Sequence, residues 1–151
     1  MNPERPEASP GFLLWRATLR WQREITAALK PFDLTHVQFV LLTSAWWLGE
    51  HGDGPPSQAQ VAAHAEADVM MTSSVVRVLE RRDLLTRSPD PGDARVRRLA
   101  VTEAGRRLVE EAVTVVEAAD AAFFAAAGDP ERVLAVLRPL AAPGPPQISR
   151  R

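Results

Sequence analysis

The chain has 151 residues, enough for one domain with a real core, and its 46% hydrophobic and 25% charged content is that of an ordinary globular protein. It contains no cysteine, which excludes a disulfide framework, a thiolate metal site and a thiol redox switch. The net charge of −1 argues against a generally basic, nonspecific nucleic-acid binder. No apolar run is long enough to span a bilayer and the first ten residues lack a signal-peptide core, so a cytoplasmic location is expected.

Residues 1–10 carry three prolines and read as a flexible lead-in. A helix is predicted from Gly11 to Lys30, with Phe12, Leu14, Trp15, Leu19, Ile25 and Leu29 available for burial, and Pro31 interrupts it. Thr35 can cap a second helix over about 35–50. Its Val37, Val40, Leu41, Ala45, Trp46 and Leu48 make it the most apolar and the expected central one. A Gly/Pro-rich loop follows, and Ser57 with Gln60 forms a capping-box pattern that opens a short helix through Ala65. After a short connection Asp68 is placed to cap another helix, about 69–82.

Strand-like runs at Leu84–Ser88 and Val96–Val101 flank the turn-rich segment Pro89–Ala94, which predicts a hairpin. Thr102 caps a long helix through Ala127, with Leu108, Ala112, Val115, Ala119, Ala122, Phe123 and Ala126 on or near one stripe. At ~1.5 Å per residue it would be roughly 35–40 Å long, more than a small lobe needs. Gly128-Asp129-Pro130 is a stop, a cap and a first-turn proline in succession. The last helix, about 130–141, carries a stripe of Val133, Leu134, Leu137 and Leu140, and residues 142–151 form a proline-rich tail.

The segment from Thr72 to Gly105 holds the strongest functional signal. Val75, Val76 and Leu79 fit one helix face, which leaves Thr72, Ser73, Ser74, Arg77 and Arg81 for the other. A polar helix face followed by an arginine-bearing hairpin suits duplex DNA. The helix can enter the major groove, and the hairpin can reach the backbone or the minor groove. Between Arg77 and Arg107 nine arginines face five acids, a local excess of four positive charges in a chain that is otherwise acidic.

The run VVRVLERR followed by LLTRSPDPGDARVRRLAVTEAG resembles the recognition helix and wing of the MarR-type (multiple antibiotic resistance regulator) winged-helix transcription regulators. LTHVQFVLL, Leu34 to Leu42, resembles that family's second helix, and the likeness extends over roughly residues 12–141. Most of its specificity lies in Asp93-Ala94-Arg95 and the Leu-Ala-Val-Thr-Glu-Ala-Gly after it. Asp83 departs from the pattern, because the family usually has glycine there to close the recognition helix. The absence of cysteine removes the family's peroxide-sensing branch.

The resemblance implies a mainly α (α+β) protein: a winged helix-turn-helix with a two-stranded wing and a helical dimerisation module. The domain would span 11–141, with dimerisation helices at about 11–30 and 103–141 and a DNA-binding lobe at about 35–102. It implies a homodimeric, ligand-responsive regulator, more a repressor than an activator, acting on a pseudo-palindromic double-stranded operator. Phe12, Leu14, Phe123, Phe124, Val133, Leu137 and Leu140 would form the dimer interface. The adjacent Phe123 and Phe124 point different ways, so one can face the partner.

In that frame Arg95 enters the minor groove and Asp93 holds its guanidinium, although an Asp–Arg pair can also merely staple a hairpin. Hydroxyls of Thr72, Ser73 and Ser74 can meet phosphates or base edges, and Arg77 can meet guanine, unless they are plain helix-surface polarity. Arg81 is a further DNA-binding candidate, left open beside Arg82, which can pair with acids on its own lobe. Arg97 and Arg98 alternate on a strand, so at most one faces DNA. Ser57 and Gln58 can anchor a phosphate at a helix N-terminus, though capping alone explains Ser57.

His36, His51 and His64 lack metal-ligand spacing, and no phosphate loop or nucleophile elbow is present. No metal, cofactor or enzymatic activity is therefore expected. Trp15, Arg16, His36, Trp46 and Trp47 are a candidate pocket for a small aromatic or anionic effector, with core or dimer packing as the alternative for the tryptophans. The rival to a DNA-binding regulator is a winged-helix protein-interaction module without DNA binding.

Overall fold

Most helices begin where a side chain is placed to cap them. A computed structural model describes Arg5 and residues 8–142. The expected N-terminal lead-in and C-terminal tail lie largely outside these residues, and Pro10 already opens the first helix. The elements are α1 (Pro10–Leu29), α2 (His36–His51), α3 (Gln58–His64), α4 (Val69–Arg81), β1 (Leu85–Pro89), β2 (Arg97–Val101), α5 (Glu103–Phe124) and α6 (Pro130–Ala141). At α2 the Thr35 hydroxyl accepts from Gln38 N–H at 3.2 Å while Gln38 Oε1 accepts from Thr35 N–H at 3.1 Å. Ser57 and Gln60 exchange the same pair of bonds at α3. Asp68, Thr102 and Asp129 cap α4, α5 and α6. Each satisfies a backbone N–H that the first helical turn leaves unpaired.

One core joins all of these elements but α6. It contains Ile25 and Leu29 from α1, Leu41 and Leu42 from α2, Val61, Val76, Leu79, Leu85, Leu99, and Val109 and Ala112 from α5. The second helix is central as expected, touching α1, α3, α4, α5 and β2. Its buried positions include Phe39 and Leu42, while Val37, Val40, Trp46 and Leu48 are only partly covered.

The hairpin is antiparallel, with Leu85 opposite Val101 and Pro89 opposite Arg97. Each strand starts one residue later than predicted. A bridge between Ser57 and Arg98, with Leu99 N–H donating to Pro56 at 2.8 Å, ties the hairpin to the start of α3.

The rotational setting of α5 differs from the expected stripe. Gly105, Val109, Ala112 and Val116 face the core, whereas Val115 is exposed. The cause is Gly105, where an added Cβ would stand 2.0 Å from the Leu84 carbonyl oxygen. The helix approaches the backbone ahead of β1 so closely there that the glycine must face inward.

Two apolar surfaces find no partner among the described residues. In α1, Leu13, Leu14, Trp15 and Leu19 are exposed. No residue of α6 is buried, and Leu134, Val136, Leu137 and Leu140 stand open. The rings of Phe123 and Phe124 meet edge to face at 5.1 Å.

Candidate nucleic-acid interface

The fourth helix divides cleanly into two faces. Thr72, Val76 and Leu79, spaced four and three residues apart, are buried. Ser74, Arg77 and Arg81, three and four residues apart, are exposed on the opposite side. Thr72 is therefore removed from the expected polar face. It is fully buried, and its hydroxyl donates to the Asp68 carbonyl at 2.8 Å. A threonine can take this place because its methyl group packs inward while its hydroxyl is satisfied by the helix one turn back. Ser73 is half-buried at the edge between the two faces.

Asp83 ends this helix with φ +56°, the left-handed conformation that glycine would supply more cheaply. The departure from the family pattern leaves the turn intact. Arg82 is turned away from the polar face. It donates to the carbonyls of Asp33 at 2.6 Å and Phe32 at 3.2 Å, which fastens the end of α4 to the α1–α2 connection. Arg87 lies 3.4 Å from Glu80, linking β1 back to α4.

The wing is built around two carboxylates. Asp90 accepts from Gly92 N–H at 2.9 Å, from Asp93 N–H at 3.1 Å and from Arg98 Nε at 2.6 Å. Asp93 accepts from the Arg95 backbone N–H at 3.0 Å and from its Nε and guanidinium nitrogen at 3.1 and 3.3 Å. The Arg98 guanidinium holds Asp90 below the usual carboxylate range, and Arg95 does the same for Asp93. Both carboxylates stay ionised at neutral pH. The Arg95 side chain nevertheless remains 91% exposed, oriented but not covered. Arg97 is exposed while Arg98 is committed to Asp90, so one arginine of that pair is available.

Sequence reading missed the staple between Asp90 and Arg98. Its only signal was an aspartate opening a turn with a basic residue eight positions on. Ser57 is buried with its hydroxyl engaged in the cap, and Gln58 is half-buried with Oε1 lacking a partner.

The five residues proposed for an effector pocket are not brought together. Trp15 is exposed near Phe12, over whose ring Arg16 lies at 5.9 Å. Trp46 lines a small cavity beside the start of α5, together with Arg106. Trp47 stacks between His51 and His64, with centroids 4.6 and 5.3 Å away. Trp46 and Trp47, adjacent on α2 and about 100° apart around it, thus meet different surroundings. His36 alone borders a cleft of about 760 Å³ between α1, α2 and α4, whose rim includes Arg23, Lys30 and Arg82. The imidazole meets Trp21 edge-on at 5.0 Å, and Trp21 Nε1 donates to Asp120 at 2.6 Å. Burial lowers the His36 pKa, and the nearby Asp120 charge opposes that shift only in part.

Among the described residues no helix is long and apolar enough to cross a membrane. The family model described as the MarR family matches residues 34–97, from the start of α2 into the wing. The HTH-type transcriptional regulator YdcH of Bacillus subtilis is 47% identical over 135 residues, covering 89% of this chain and 91% of that protein. The HTH-type transcriptional repressor Rv2887 of Mycobacterium tuberculosis is 32% identical, with 83% and 87% covered. The crystal structure of CouR from Rhodococcus jostii RHA1, bound to p-coumaroyl-CoA, superposes with a TM-score of 0.77 at 31% identity, covering 89% and 90% of the two chains. A helix-turn-helix of this form, a wing with an oriented arginine, and relatives of this closeness over nearly the whole chain place the protein among the MarR-family transcription regulators.

Proposed function

We propose that the protein is a homodimeric, sequence-specific repressor that acts in the cytoplasm on a pseudo-palindromic operator and releases it when a small effector binds. The observation that carries this reading is the division of α4 into a buried stripe and an exposed stripe of Ser74, Arg77 and Arg81, followed by a wing that presents Arg95. Ser73, Ser74, Arg77 and Arg81 would meet the major groove and its phosphates. Arg95, braced by Asp93, would enter the minor groove, and Arg97 would meet the backbone. The domain would divide into a lobe at about 35–102 and dimerisation helices at about 11–30 and 103–141. Unpartnered Leu14, Leu137 and Leu140, with the half-covered Phe12, Phe123, Phe124 and Val133, supply the self-contact. Two recognition helices related by a twofold axis would then sit in successive major grooves, about 10 bp apart.

The effector site is the cleft between α1, α2 and α4, where Arg23, Lys30 and Arg82 outnumber the single carboxylate of Asp33 and suit an anionic, partly aromatic molecule. CouR, bound to p-coumaroyl-CoA, offers a precedent for a ligand of that kind. Release of DNA would require that the effector bind more tightly to a dimer whose lobes are wrongly spaced.

The test is a gel-shift titration of the full chain against genomic fragments, with unrelated duplex as competitor. Saturable, competitor-resistant binding that weakens steeply between about 50 and 200 mM salt is expected from several phosphate contacts. Absence of binding at low salt by a folded dimer, to every fragment, would favour a protein-interaction module instead.

A further inference from the structure

The exposed stripe of α4 starts one turn earlier than its polar residues. Met70 precedes Ser74 by four positions, and the spacing 70, 74, 77, 81 keeps all four on one line opposite Thr72, Val76 and Leu79. Met70 is 79% exposed, more than any other large apolar side chain among the described residues, and its neighbour Val69 is 68% exposed. Neither belongs to the unpartnered apolar surfaces of α1 and α6 that suit the subunit contact. Both lie in the first turn of the helix, the part of a recognition helix that reaches base edges.

We infer that Met70 is a specificity-determining residue that reads the C5-methyl group of thymine in each half-site. The inference rests on the DNA-binding reading above. Its chemistry is that of the major groove, where the thymine methyl is the one apolar handle among hydrogen-bonding groups. A thioether chain is long and adaptable enough to cover it from the first helical turn. Polar contacts from Ser74 and Arg77 would fix the register, and Met70 would distinguish thymine from cytosine at the adjoining position.

The experiment uses the tightest duplex recovered by the full chain from a random-sequence library. Each thymine is replaced in turn by deoxyuridine, which removes the methyl group and keeps every hydrogen-bonding edge. Wild-type protein is expected to lose about fourfold in affinity at one thymine per half-site, the scale of burying one methylene-sized group. Met70→Ala, in a residue so exposed and replaced by a strong helix former, should keep its thermal melt, bind the thymine duplex more weakly and no longer distinguish it from the uracil one. Equal binding of thymine and uracil duplexes by the wild type would overturn the inference while leaving DNA recognition standing, as would a Met70→Ala protein that keeps the preference. Failure to recover any competitor-resistant duplex would overturn the DNA-binding reading and this inference with it.

Discussion

The Thr102 hydroxyl donates to the Asp83 carbonyl at 2.6 Å and accepts from Gly105 N–H at 3.0 Å, so one oxygen joins the end of the recognition helix to the start of the long helix. The Thr102 backbone N–H adds a bond to the Leu84 carbonyl at 3.1 Å. The start of α5 is thereby tied to the turn that ends α4.

Thr102→Val keeps the shape and removes both hydroxyl bonds. It should cost about 1–2 kcal/mol of stability, the usual scale for a lost N-cap, while Thr102→Ser should recover most of it. Chemical denaturation of the three proteins measures the difference.

At Asp83 the left-handed backbone sets the order of stabilities. Asp83→Ala should be less stable than the parent by roughly 1 kcal/mol, because alanine lacks the aspartate's tolerance of that conformation. Asp83→Gly should be at least as stable as the parent. Thermal melts of both variants test the ranking.

Gly105→Ala places a methyl group against the Leu84 carbonyl, and backbone cannot yield as a flexible side chain does. A loss of about 3 kcal/mol, the upper part of the range for overpacking, is expected in a denaturant titration.

Arg95→Ala removes the oriented wing-tip charge without touching the core. It should weaken specific DNA binding by roughly 1–3 kcal/mol and leave the melting temperature unchanged. Unchanged affinity in gel-shift titrations would take Arg95 out of the interface.

The lowered pKa of His36 gives stability a sign with pH. Burial disfavours the charged imidazole in the folded state, so the unfolded chain binds the proton more readily. This contribution is fully present above the ordinary histidine pKa of about 6.5 and is lost as pH falls below it. His36→Gln should flatten the fall in stability between about pH 7 and 5.5, as melts at the two pH values would record.

The capped helix starts and the wing were legible from residue order alone, because both are written in local chemistry. Thr35, Ser57, Asp68, Thr102 and Asp129 cap their own next turn, and the Pro/Asp/Gly run can only bend. The Asp93–Arg95 pair was equally legible, since its partners are two residues apart. Packing settled the rest. Thr72 is polar by type, yet packing of α4 against the core turned it inward. The stripe of α5 admitted more than one rotational phase until Gly105 met the Leu84 carbonyl. The tryptophans, open in the sequence to a pocket or to packing, lie in separate surroundings. Arg82 found its acceptors on residues 32 and 33, about fifty positions away. Local hydrogen bonds depend on neighbours in the chain, whereas burial depends on which surfaces meet, and that is settled only when the helices pack.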